Sequence, residues 1–107
     1  MTRKPVVPRD RARRDVREAV RYYRLEAGED VALRFVTAYR QALLSVAEFP
    51  GVGSPRYGVE LDVPGLRSRG VDGFPYLVFY VDHPDFIEVR RVLHGRREVM
   101  SLLQARQ

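Results

Sequence analysis

The chain has 107 residues, no cysteine, and a formal charge of +5 at pH 7. That length accommodates one modest core without covalent staples, and the missing cysteine excludes disulfides, thiolate metal sites and thiol nucleophiles. No apolar run reaches the ~20 residues that span a bilayer, and Met1-Thr-Arg-Lys-Pro-Val-Val-Pro8 lacks the apolar stretch of a secretory signal. One cytoplasmic domain over residues 1–107, with no membrane contact, is expected.

Pro5-Val-Val-Pro8 predicts a short extended segment, confined by its prolines to a sheet edge or strand end. Ala12, Val16, Ala19, Val20 and Tyr23 then form one apolar stripe at helical spacing. Arg13, Arg14, Arg17, Arg21 and Arg24 crowd the remaining surface, and Asp15 and Glu18 are placed to pair with neighbours three or four residues away. Gly28 ends or interrupts this helix. A second is predicted from Glu29 to Phe49, with Glu29 and Asp30 suited to its positive N-terminal end. Its stripe is Ala32, Phe35, Val36, Tyr39, Leu43 and Val46, and Pro50-Gly51 stops it. The pair reads as an αα-hairpin, with Tyr22, Tyr23, Phe35, Tyr39 and Phe49 assigned to the core.

Val52 to Val63 reads as a Gly- and Pro-rich loop. A strand over Leu66–Val71 leads into Asp72-Gly73, a two-residue hairpin signal. Strand Tyr76–Val81, a turn at Asp82-His-Pro-Asp85 and strand Phe86–Leu93 follow, Gly95 breaks the last strand, and Arg96–Gln104 predicts a short helix. The architecture is therefore α+β: a short N-terminal edge strand, a two-helix hairpin, a three-stranded antiparallel meander and a short C-terminal helix.

Alternation along the strands gives the faces. On the middle strand Tyr76, Val78 and Tyr80 share one side, and Leu77, Phe79 and Val81 the other. On the next, Ile87, Val89, Arg91 and Leu93 alternate with Phe86, Glu88, Arg90, Val92 and His94. With Leu77 and Ile87 turned to the helices, the tyrosines lie on the opposite face beside Arg90 and His94. Arg67, Arg69, Arg90 or Arg91, His94, Arg96 and Arg97 would then converge. Charge is unevenly distributed: residues 1–24 hold nine basic and three acidic side chains, residues 25–89 five and ten, and residues 90–107 five and one. Only Lys4 among the cations is lysine. Basic ends of this kind fit an acidic partner, protein or nucleic acid.

Five strings in this order resemble the ParE branch of the ParE/RelE superfamily of type II toxin–antitoxin toxins. They are Glu48-Phe-Pro, Gly53-Ser-Pro-Arg, Pro64-Gly-Leu-Arg, Phe74-Pro-Tyr-Leu-Val-Phe-Tyr and Arg91-Val-Leu-His-Gly-Arg-Arg. The resemblance covers nearly the whole chain. It implies a bacterial toxin associated with growth inhibition and plasmid stabilisation, held in a hetero-oligomer by a ParD-like antitoxin, whose target is DNA gyrase. RelE-like relatives instead cut mRNA on the ribosome.

RelE-like nucleases carry an arginine at the start of the middle strand and often a late tyrosine or histidine. This chain has Tyr76 at the first position, and Glu-Val-Met-Ser-Leu-Leu after Arg97. The ParE reading therefore assigns no catalytic residue and makes Arg67, Arg69, Arg91, His94, Arg96 and Arg97 the target-binding set. It gives Arg13, Arg17, Arg21, Tyr76 and Tyr80 to the antitoxin. On the nuclease alternative His94, Arg97 and Arg67 do the chemistry, since cleavage at a 2′-hydroxyl needs an acid or base and cations on the phosphate. A non-toxic antitoxin-binding module is the third reading. No cofactor and no metal are expected, because no spacing of ligating residues fits one. Direct nucleic-acid contact is left open.

Overall fold

A computed structural model describes residues 3–105. The elements are β1 (Val6–Pro8), α1 (Asp10–Ala27), α2 (Glu29–Glu48), a 3₁₀ turn at Pro50–Val52, α3 (Arg56–Glu60), β2 (Leu66–Gly70), β3 (Tyr76–Asp82), β4 (Ile87–His94) and α4 (Glu98–Ala105). The fold is α+β as expected. The four strands lie in the order β1-β4-β3-β2, with β1 parallel to β4 and the other pairs antiparallel. Among the described residues no helix is long and apolar enough to cross a membrane.

A single residue, Gly28, joins α1 to α2. Its φ of 96° and ψ of 168° lie where a side chain is not tolerated, so the reversal depends on glycine there. The hairpin presents Ala12, Ala19, Phe35, Tyr39, Ala42 and Val46 to the sheet, which answers with Tyr76, Val78, Tyr80, Ile87, Val89 and Val92. Phe74 and Tyr23 extend this core as edge-to-face aromatic pairs around Phe35 and Tyr76. Two residues assigned to the core are outside it: Tyr22 is 46% and Phe49 65% exposed. Phe49 follows the last turn of α2 with a non-helical backbone (φ −134°, ψ 81°), which carries its ring away from the apolar stripe.

The sheet is turned over relative to expectation. Tyr76 and Tyr80 face the hairpin, and Leu77, Phe79 and Val81 face away from it. Ile87 nevertheless faces the hairpin, because the β3–β4 ladder slips. Phe79 pairs with Arg91 and Tyr80 with Val89, which leaves Arg90 as a bulge. A bulge reverses side-chain parity, so Ile87 and Val89 share a face with Val92 rather than with Leu93.

The second face is covered too. Segment 52–63, expected as a loop, contains α3, and Tyr57, Leu61 and Val63 pack with Leu66, Phe79 and Val81. Val99 and Leu103 of α4 close the same cluster over Leu77 and Leu93. The β2–β3 connection is also longer than two residues. Val71 is buried, its N–H donates to the Tyr76 carbonyl (3.0 Å), and the Phe74 N–H donates to the Val71 carbonyl (3.0 Å). Gly73 takes φ 83° inside this turn, and Pro75 has no N–H with which to continue the ladder.

Candidate functional site

The site forms where β4 outruns β1. β1 pairs only with Ile87, Glu88 and Val89, so the rest of β4 has an uncovered edge. Two carboxylates occupy that edge in place of a strand. Asp15 of α1 accepts the Val92 N–H at 2.9 Å, and Glu98 Oε1 of α4 accepts the His94 N–H at 3.0 Å. Asp15 also binds Arg91 at two points, Nε at 2.8 Å and Nη2 at 3.1 Å. These hydrogen bonds hold the Arg91 guanidinium in its charged form and raise its pKa, the charge of Asp15 adding to them against partial burial. Arg91 is thus committed internally, and Asp15 pairs across the fold rather than along its own helix.

His94 sits at the junction of β4 and α4 and closes the turn between them. Its Nδ1 accepts the N–H groups of Arg96 and Arg97, each at 3.2 Å. An imidazole nitrogen that accepts carries no proton, so the ring is neutral with its hydrogen on Nε2. Burial pushes its pKa below the usual histidine value, the charges of Arg97 and Arg96 push the same way, and Glu98 opposes them. Arg96 and Arg97 are exposed. The Arg97 guanidinium lies 5.8 Å from the centre of the Tyr22 ring, within cation–π range. A cleft of about 390 Å³ on one side of Arg97 is lined by Arg91, Leu93, Ser101 and Leu102. A smaller one of about 180 Å³ on the other side reaches Asp15, Tyr22, Tyr76 and Val92.

The remaining expected residues lie elsewhere. Arg67 and Arg69 are on β2, the opposite edge of the sheet. Arg67 Nη1 donates to the carbonyl of Gly53 (2.7 Å), and Arg69 pairs with Asp72 (3.2 Å) while donating to the Gly70 carbonyl. Arg67 stands opposite Tyr80 and His94 opposite Tyr76. That separates them by about 13 Å along β3 and about 10 Å across two strand spacings. The cations therefore form two groups, Arg91, His94, Arg96 and Arg97 at the start of α4, and Arg67 with Arg69 at the far edge. His94, Arg97 and Arg67 do not share one site. Tyr76 and Tyr80 are 7% and 0% exposed. Tyr80 donates its hydroxyl proton to the Pro50 carbonyl (2.7 Å) and accepts the Gly53 N–H (2.9 Å), which places it inside the fold and not on a partner surface. Arg13, Arg17 and Arg21 are exposed on α1.

Sequence reasoning missed two buried carboxylates. Asp15 sits within the α1 stripe, between Ala12 and Ala19, and a charge in an apolar stripe was the available signal. Glu88 is 3% exposed and receives His83 Nε2 (2.8 Å), Arg90 Nε (3.2 Å) and Arg9 Nε. Burial alone would raise its pKa, but these three donors and the Arg90 charge outweigh burial and bring it to about 2. Nothing in the alternation of β4 marked that position. Among the described residues no group of three His, Cys, Asp or Glu side chains is placed to hold a metal ion.

Comparison with known proteins bears on the family and the fold. Residues 6–99 match the family described as ParE toxin of the type II toxin–antitoxin system, parDE. A solved structure titled as the chromosomal ParDE toxin–antitoxin system from P. aeruginosa superposes with a TM-score of 0.73 at 18% identity, covering 85% of this chain and 95% of that one. At that identity the likeness speaks for the fold. No curated protein matches the chain. With 6–99 matched in one uninterrupted span, the chain belongs to the ParE toxin family of type II toxin–antitoxin systems.

Proposed function

We propose that this chain is the toxin of a pair neutralised by a ParD-like antitoxin, and that it acts by binding DNA gyrase and blocking replication in the cytoplasm. The observation that carries a binding role over RNA cleavage is the state of His94. Its Nδ1 closes the turn into α4, and Arg67 lies on the opposite edge of the sheet. Cleavage at a 2′-hydroxyl needs a base and phosphate-binding cations converging on one atom. The start of α4 offers exposed cations without a free partner base, an arrangement suited to gripping an acidic surface. Arg96 and Arg97 are the contact residues on this reading. His94 holds them in place through their N–H groups, Arg91 is paired with Asp15, and Arg67 and Arg69 form a separate rim.

The test is to titrate purified toxin into gyrase with plasmid DNA, scoring supercoiling and trapped cleavage complexes. Inhibition reversed by the antitoxin is expected. No effect at large excess would overturn the gyrase target, and cleavage of translated mRNA would then identify the toxin as a nuclease.

A further inference from the structure

The exposed face of α1 has no role in the fold. Arg13, Arg14, Arg17 and Arg21 are exposed there. Among the described residues none of them has a carboxylate oxygen within ion-pair distance. Glu18 lies four residues after Arg14 and three before Arg21, yet pairs with neither. Like charges at i and i+4, as in Arg13–Arg17–Arg21, destabilise a helix. A row that works against local stability is the kind of local conflict that functional sites carry.

We infer that this arginine ridge is a contact for the phosphodiester backbone of a nucleic acid. Two observations favour phosphate over a protein surface. First, a protein partner anchors through apolar and aromatic residues at the centre of its interface, with charge confined to the rim. The exposed apolar residues of α1 are Tyr22 and Leu25, both at its C-terminal end, so the centre of the ridge holds none. Second, four cations lie along the ridge with no ion-pair partner among the described residues, a density of positive charge that suits a row of phosphates. Arg13 to Arg21 spans about 12 Å of helix, a length over which duplex DNA presents about seven phosphates. This inference does not depend on the gyrase target.

The experiment is fluorescence anisotropy of the full chain with a DNA duplex and an RNA duplex of one sequence, each about 20 base pairs, at about 50 to 200 mM salt, where backbone contacts register. Three proteins are compared: wild type, Arg17→Gln with Arg21→Gln, and the charge-matched Arg34→Gln with Arg40→Gln, both exposed on α2. Wild type is expected to bind with a steep salt dependence. The ridge variant should lose about 1.8 from the slope of log K against log salt, at about 0.9 per lost contact with B-DNA. The control should keep the wild-type slope. Whichever duplex binds more tightly names the nucleic acid. Failure of wild type to bind either duplex at low salt would overturn the inference, as would equal slope loss in both variants, which signifies net charge alone. Weaker antitoxin binding by the ridge variant with an unchanged nucleic-acid slope would assign the ridge to a protein instead. All substituted positions are at the surface, and thermal melts that superpose confirm intact folds.

Discussion

Asp15 and Arg91 form a two-point ion pair across 76 residues of sequence, and the same carboxylate caps the Val92 N–H. One side chain therefore fastens α1 to the edge of β4 that β1 leaves uncovered. Unpaired edges invite intermolecular pairing, and a carboxylate from a helix blocks this one.

Asp15→Ala removes three hydrogen bonds and leaves Arg91 unpaired with only 28% of its side chain exposed. A loss of about 3 kcal/mol is expected in urea unfolding. The double variant Asp15→Leu with Arg91→Met should recover part of it, because an apolar pair leaves no charge stranded. An Asp15→Ala variant as stable as wild type would remove the fastening role.

Glu88 makes stability pH-dependent in acid. Its folded pKa of about 2 lies below its ordinary 4.5. The folded state binds fewer protons than the unfolded one, so the stabilisation is complete above about pH 5 and is lost as pH falls towards 2. The shift corresponds to about 3 kcal/mol. Glu88→Gln should be less stable at pH 7 and show a flatter stability profile between about pH 5 and pH 2. Parallel profiles for the two proteins would contradict the assignment.

His94 has the opposite chemistry and the same direction. Its folded pKa is lowered, so protonation favours the unfolded chain and costs both turn hydrogen bonds. Stability should fall as pH drops below the ordinary histidine value of about 6.5. His94→Asn keeps an acceptor in the turn and should lose this pH sensitivity, while His94→Ala should cost about 1 kcal/mol at pH 7.5. Melting temperatures at two pH values decide between them. Gyrase inhibition by His94→Asn is expected to persist, and its loss would point to chemistry at the ring.

The Gly53–Tyr80 contact tolerates no added atom. A Cβ on residue 53 would lie 2.5 Å from the Tyr80 hydroxyl and 2.9 Å from the Ser68 carbonyl. Gly53→Ala should destabilise by about 2 kcal/mol through overpacking. Tyr80→Phe strands the Gly53 N–H and the Pro50 carbonyl and should cost about 1–3 kcal/mol. Chemical denaturation of both variants provides the check.

Arg96 and Arg97 are the exposed cations of the site, so Arg96→Ala with Arg97→Ala should leave the fold intact. The Tyr22 contact contributes about 0.5–1 kcal/mol at an exposed position. The gyrase concentration–response curve should shift at least about tenfold, equivalent to about 1.4 kcal/mol. An unshifted curve with normal stability would move the target surface elsewhere.

Local information was enough for every long element. The stripes of α1 and α2, Gly28 between them, the prolines around Val6–Val7 and the dense apolar run of β3 each act within a few residues, where periodicity and backbone chemistry govern. The short α3 was not legible, because its five residues hold position through Tyr57 against Phe79 rather than through propensity. The hairpin after β2 lengthened because Phe74 is drawn into the aromatic cluster around Phe35, a contact made across the fold.

The residue types of the candidate site were readable, but their arrangement was not. Arg96, Arg97 and His94 are neighbours in sequence, and their grouping was already present in the order of residues. Whether Arg67 joins them depends on which strand lies between, and whether Tyr76 and Tyr80 reach the surface depends on which sheet face the hairpin covers. Both faces of β3 are apolar, so its pattern has no preferred side. The tertiary structure decides, by packing Phe74 and both tyrosines against the hairpin and by placing the Arg90 bulge in β4. Sequence alone determined the long elements and their charges, because those are set by neighbours along the chain. Register and facing arise only when distant segments compete for the same core.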